Sequence, residues 1–145
     1  MEIERLDHIH IAVRSLDQAE RFFRDVLGVT AKFSVTITVN EWALRSRIVP
    51  IGETGIEIIE PTSSNSVIAK FIEQRGEGLH AISFKVPNIE KAAAEIEAKG
   101  VRRVGETNIG RLKEVQFHPR DSYGVMIELC EYETRHGCAE AALGR

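Results

Sequence analysis

Two stretches of this chain follow one plan. Residues 7 to 13, DHIHIAV, alternate at period two and run into RSLDQAERFFRDVLG, which opens with Ser15 and Gln18 at capping-box spacing and closes on Gly28. The stretch HAISFKVPNIEKAAAEIEAKG repeats the order: an alternating run to Val86, Asn88 as N-cap, a helix with Ile89, Ala93 and Ile96 on one stripe, and Gly100 as stop. Laying Val13 on Val86, an offset of 73 residues, pairs Leu16 with Ile89, Asp17 with Glu90, Ala19 with Ala92 and Phe23 with Ile96. The chain therefore reads as a duplicated βα unit, which limits it to folds built from two copies of one module.

Further β-like stretches follow each helix, at 30–39, 43–51 and 55–60 and again at 101–105, 113–118 and 124–132. Each half is thus βαβββ. Between them SSNSVIAKFIEQRGEG predicts a short amphipathic helix with Val67, Ile68, Phe71 and Ile72 inward and Gly76 at its end. A four-stranded sheet with one helix covers one face only, so the expected α+β architecture is two paired βαβββ modules whose uncovered faces form a concave cleft. The expected organisation is a single domain over 1–145, with module one at 5–61, a linker helix at 62–78, module two at 79–132 and a weakly patterned tail at 133–145 that frays or docks on a partner. Phe22, Phe23, Leu27, Phe71, Phe84, Ile89 and Ile96 are the predicted core.

A chain of 145 residues can bury a real core. Its net charge of −3, with 19 basic against 22 acidic residues and no long run of either sign, gives no basis for binding nucleic acid or an anionic membrane. Only Cys130 and Cys138 are present, the first in an apolar strand, so a reducing cytoplasm fits better than a disulfide framework. No stretch approaches the roughly 20 apolar residues of a membrane span. A small-molecule partner is expected.

Residues i and i+2 of a strand share a face, so His8 and His10 point the same way, and neutral imidazole is the commonest metal ligand. The halves end GIEIIEP and GVMIELCE, each with a carboxylate, Glu57 or Glu128, in an apolar strand where burial without a partner is costly. Two such carboxylates at equivalent places, with His8, supply nitrogen and oxygen ligands for a divalent metal. Glu57 and Glu128 facing solvent on the outer side of their strands is the competing reading.

LDHIHIAVRSLDQAERFFRDVLGV, IEIIEPTSSNSVIAKFIEQRGEGLHAISFKV and FHPRDSYGVMIELCE closely resemble the methylmalonyl-CoA epimerases of the vicinal oxygen chelate superfamily, which also holds glyoxalase I, bleomycin resistance proteins and extradiol dioxygenases; the resemblance spans residues 5 to 131. It implies paired βαβββ modules, a divalent ion (cobalt, manganese, zinc, nickel or iron) held by two His and two Glu or Gln, and proton abstraction beside a thioester carbonyl. By position, the family ligands fall on His8, Glu57 and Glu128. The fourth is the second His of GLHH and falls on Ala81, since this chain reads GLHA; His80 keeps the preceding, opposite-facing position. His10, on the face of His8, is the expected replacement, with cleft lining as its other reading.

The family's acid–base Glu falls on Ser46, or on Glu41 if a gap is allowed, and a serine hydroxyl without an activator is a poor base at neutral pH. The loop before FHP is also shortened. The expectation is an isomerase-type metal enzyme acting on an acyl-CoA or similar small carbonyl compound, a cytoplasmic homodimer in which Glu128 assists proton transfer and Arg111, Lys113 and Arg120 can meet a charged substrate group, while His118 orders a turn. A non-catalytic ligand-binding protein of the resistance type, and a glyoxalase- or dioxygenase-type metal reaction, are the alternatives.

Overall fold

The computed structural model describes residues 1–38, 40–134 and 137–144, with Asn40 described in its backbone only. It divides into two compact units, Met1–His8 with Ala81–Arg145, and Ile9–His80. The first strand, β1 (Arg5–Ala12), gives its opening half to one unit and its closing half to the other.

In the unit Ile9–His80, β1 leads into α1 (Leu16–Leu27), capped by the Ser15 hydroxyl on Gln18 N and closed by Gly28 at φ 69°. Three antiparallel strands follow, β2 (Phe33–Ile37), β3 (Leu44–Ile51) and β4 (Thr54–Pro61), with a 3-10 turn at Asn40–Trp42. Val13, Leu16, Val49 and Ile58 form the core under α1, joined by Phe23. On the other face α2 (Val67–Arg75) seats Ile68 and Ile72 on Ala12, Leu44 and Ile59. Register places Ser46 opposite Ile59 and Ile48 opposite Glu57, so Ser46 and Glu57 share this second face.

The other unit repeats the plan. After β5 (Gly78–Lys85) come α3 (Ile89–Glu97), β6 (Arg103–Ile109), β7 (Leu112–Phe117) and β8 (Met126–Glu131), with β5 parallel to β8 and β8-β7-β6 antiparallel. Val86, Ile89, Ala92, Ala93, Val115, Phe117 and Leu129 pack under α3. The duplication reaches single hydrogen bonds. Val13 N donates to Ile59 O and Val86 N to Cys130 O, both at 2.9 Å. Glu60 Oε2 caps α1 at Leu16 N and Glu131 Oε2 caps α3 at Ile89 N, both at 2.7 Å.

The paired βαβββ modules expected from the sequence are present; three details differ. The β6 strand runs to Ile109 rather than ending near 105, because its pairing with β7 continues to the turn at Gly110. Phe22 and Leu27 are 56 % and 57 % exposed, since Phe22 lies off the stripe of α1 that carries Leu16, Ala19 and Phe23 and Leu27 ends the helix past that cluster; of the predicted core Ile89 is buried with Phe84 and Ile96 half-buried against its cluster, while Phe23 and Phe71 are half-buried against the clusters of Leu16 and of Ile68. The tail forms α4 (Cys138–Ala142), with Cys138 and Ala141 packed on Leu112, Cys130 and Tyr132 of its own unit. It follows β8 as α2 follows β4, so each repeat is βαβββα.

Gly110 is where α4 meets the β6–β7 turn. Its φ is +58°, and a Cβ would stand 2.6 Å from the Ala141 carbonyl oxygen and 2.7 Å from that of Ala142. Gly110→Ala is expected to cost about 1 to 3 kcal/mol, the left-handed penalty plus displacement of α4. Gly52→Ala, at φ +60° with nothing within 4 Å, should show the backbone penalty alone. The two denaturation midpoints, compared, read the α4 contact directly.

Candidate metal centre

In the unit Met1–His8 with Ala81–Arg145, strand register sets Glu128 of β8 beside Ser83 of β5 and opposite Gln116 of β7. His8 and Glu128 are both buried, and His8 Nε2 lies 3.3 Å from Glu128 Oε1. Gln116 Nε2 donates to Glu128 Oε2 at 2.9 Å. Behind the imidazole, Nδ1 is 2.9 Å from Asp7 Oδ1 and 3.3 Å from Cys138 Sγ. Asp7 Oδ2 in turn accepts from Arg5 Nη2 at 3.0 Å and from the Tyr132 hydroxyl.

This unit gathers negative charge around one ring. Burial opposes ionisation of Asp7, but hydrogen bonds from His8, Tyr132 and Cys138 and the charge of His8 outweigh it and hold the carboxyl well below its usual range. Burial likewise opposes a charge on His8, yet Cys138, Asp7 and Glu128 raise its pKa well above the free value. The Tyr132 hydroxyl is pushed up by burial and by Asp7, so it stays protonated and donates.

In the unit Ile9–His80, His10 Nε2 lies 3.4 Å from Glu57 Oε2, both side chains being mostly covered. The His80 ring runs parallel to that of His10 with centroids 6.3 Å apart, and Phe71 meets it edge-on at 4.9 Å. His80 was expected to turn away from the ligand set; instead it packs beside His10. Both His80 and Ala81 are buried, and the edge-on contact with Phe71 of α2 seats the His80 ring next to His10.

The donor set fits a divalent cation. Two groups bound to one ion at about 2.0 to 2.1 Å stand about 3 Å apart, close to the 3.3 and 3.4 Å of the two imidazole–carboxylate pairs. Glu128 is a buried carboxylate facing an imidazole, and it needs a positive charge nearby, a proton on His8 or a metal ion. Imidazole nitrogen with carboxylate oxygen suits borderline ions such as zinc, cobalt or manganese.

The sequence reading placed the family's missing imidazole at Ala81. It is fully buried and alternates with Ser83, so it lies on the Glu128 face, but as a methyl it offers no ligand atom. Lys113 pairs with Glu131 at 3.4 Å on the α3 side of its sheet, opposite Glu128, which removes it from the candidates for substrate contact near this carboxylate. Arg111 and Arg120 are exposed. His118 orders a turn as expected: its Nδ1 accepts from Arg120 N at 3.1 Å and caps the 3-10 turn Pro119–Asp121. Sequence reasoning missed Asp7, Tyr132 and Cys138. The Asp-His dipeptide was a visible signal for the first; the other two are joined to it only by the fold.

Residues 7–117 match the family described as the Glyoxalase/Bleomycin resistance protein/Dioxygenase superfamily. The mitochondrial methylmalonyl-CoA epimerase of Mus musculus is 35% identical over 132 residues, covering 88% of this chain and 73% of that protein. An ethylmalonyl-CoA/methylmalonyl-CoA epimerase of Cereibacter sphaeroides is 33% identical over 132 residues, 88% of this chain and 97% of its own. Among solved structures, a variant of the Streptomyces coelicolor methylmalonyl-CoA epimerase in complex with 2-nitronate-propionyl-CoA aligns with a TM-score of 0.82 at 31% identity, over 92% of this chain and 97% of its own. The βαβββ pair and these likenesses agree: the chain belongs to the glyoxalase/bleomycin resistance protein/dioxygenase superfamily, among the relatives of the methylmalonyl-CoA epimerases.

Proposed function

We propose that this protein is a divalent-metal-dependent epimerase of methylmalonyl-CoA or a closely similar acyl-CoA, with His8, His10, Glu57 and Glu128 holding the ion. The observation that carries it is the pairing of a buried carboxylate with an imidazole, Glu128 with His8, from strands at opposite ends of the sequence, repeated as Glu57 with His10. A bound divalent ion would polarise the thioester carbonyl and stabilise the charge of an enolate.

The chain's own groups divide the remaining work. Glu128, expected from the sequence to assist proton transfer, we assign to holding the ion, because one oxygen faces His8 and the other accepts from Gln116. Ser46 is fully buried and its hydroxyl has no hydrogen-bond partner among the described residues, so nothing there activates it as a base. Glu41 stands exposed on the 3-10 turn Asn40–Trp42 and is our choice for the carboxylate that exchanges the substrate proton.

The test is solvent exchange at C2 of methylmalonyl-CoA in deuterated buffer, followed by NMR with the metal-loaded protein. Exchange that chelation abolishes, and that Glu41→Gln slows by about 100-fold or more, is the expected result. The absence of family-like side chains at Ala81 and Ser46 favours a second reading, a protein that binds such a ligand without chemistry. Tight binding with no exchange would establish that reading and overturn ours.

A further inference from the structure

We infer that Asp7 is a positioning residue that fixes the tautomer and plane of His8, so that Nε2 presents its lone pair on the Glu128 side. The inference rests on the reading of His8 as a metal ligand. A histidine can bind a metal through Nε2 only if its remaining proton sits on Nδ1, and the partner of Nδ1 decides where that proton sits. Here the partner is Asp7 Oδ1 at 2.9 Å.

The carboxylate is itself clamped. Its other oxygen, Oδ2, accepts from Arg5 Nη2 at 3.0 Å, from Arg5 Nε at 3.3 Å and from the Tyr132 hydroxyl. Tyr132 directly follows β8, so the segment that carries Glu128 also anchors the residue behind His8. Cys138 of α4 closes the pocket at 3.3 Å from Nδ1, and Asp7, His8, Tyr132 and Cys138 are all buried. Little competing solvent reaches these bonds.

The clamp makes an isosteric substitution informative. In Asp7→Asn the donors Arg5 and Tyr132 demand the carbonyl oxygen at the Oδ2 place, which turns the amide NH2 toward His8. That amide would donate to Nδ1, drive the ring proton to Nε2 and remove the lone pair that a metal needs. A side chain that only filled space would leave the tautomer alone.

The experiment is zinc competition against a chelator, together with 15N spectra of the His8 ring. Wild type loaded with zinc should show His8 protonated at Nδ1. Asp7→Asn should bind zinc about 10- to 100-fold more weakly and show a metal-free ring protonated at Nε2 with Nδ1 bare. Adding Tyr132→Phe and Arg5→Met frees the amide to rotate and should return part of the affinity and the Nδ1 proton. Unchanged affinity and tautomer in Asp7→Asn would overturn the inference. If Asp7→Asn fails to fold, Arg5→Met with Tyr132→Phe in the otherwise wild-type chain decides: with Asp7 no longer clamped, zinc binding should weaken several-fold, and unchanged affinity would overturn the inference. His8→Ala separates the two levels. Zinc binding equal to wild type there would mean that His8 is no ligand, whereas lost binding in His8→Ala with none lost in Asp7→Asn would mean that only the positioning role is wrong.

Discussion

Truncation of Phe117 to alanine is expected to cost about 3 to 5 kcal/mol, seen as a fall in the urea or guanidinium midpoint. Phe117 is the largest side chain of the α3 core to be wholly enclosed, against Val86, Ile89, Ala92, Ala93, Val115 and Leu129. It is paired across β7–β8 with Ile127 and across β6–β7 with Arg103, so neighbouring backbone on both sides resists collapse into the space left behind. Phe117→Leu keeps most of the volume and should lose much less. Phe23→Ala and Phe84→Ala, at half-buried positions, should fall between the two. A Phe117→Ala loss under about 1 kcal/mol would mean that this core collapses freely around the missing ring.

The helices were legible because their signals are local. Ser15 and Asn88 cap α1 and α3 where capping chemistry put them, and the repeat recurs in matched backbone bonds whose donors are 73 and acceptors 71 residues apart. Glu57 and Glu128 were found by the same repeat, and the structure places each beside an imidazole. The α4 helix escaped because its five residues, Cys138–Ala142, follow Gly137, an N-cap with no side-chain hydrogen bond, and CAEAA offers little apolar contrast. Extending the repeat past β8 would have revealed it, since Val67 at the start of α2 lies 71 residues before Cys138, the same spacing that separates Glu57 from Glu128. The Asp7, Tyr132 and Arg5 cluster joins residues from the two ends of the chain, and no periodicity encodes such a contact. The His80 ring stands beside that of His10, 70 residues earlier, a contact that alternation within one strand does not encode.

Metal titration of ligand variants should produce the largest functional effects. His8→Ala and Glu128→Ala each remove one member of a buried pair and leave the other uncompensated, so affinity should drop by more than about 100-fold, beyond the range seen for outer-sphere partners. His10→Ala tests whether this imidazole replaces the one lost at Ala81. It shares the face of His8 on β1 and stands 3.4 Å from Glu57, so its loss should weaken binding far more than His80→Ala, whose ring packs on Phe71 and His10. Ala81→His supplies an imidazole on the Glu128 face, at the cost of fitting a ring into a fully buried site opposite Met126. Introduced into His10→Ala, it should restore much of the affinity, because one nitrogen donor then takes the role of another. Equal affinity in wild type and His10→Ala would make His10 a wall of the site, leave His8, Glu57 and Glu128 as the protein ligands, and assign the remaining positions on the ion to water or substrate.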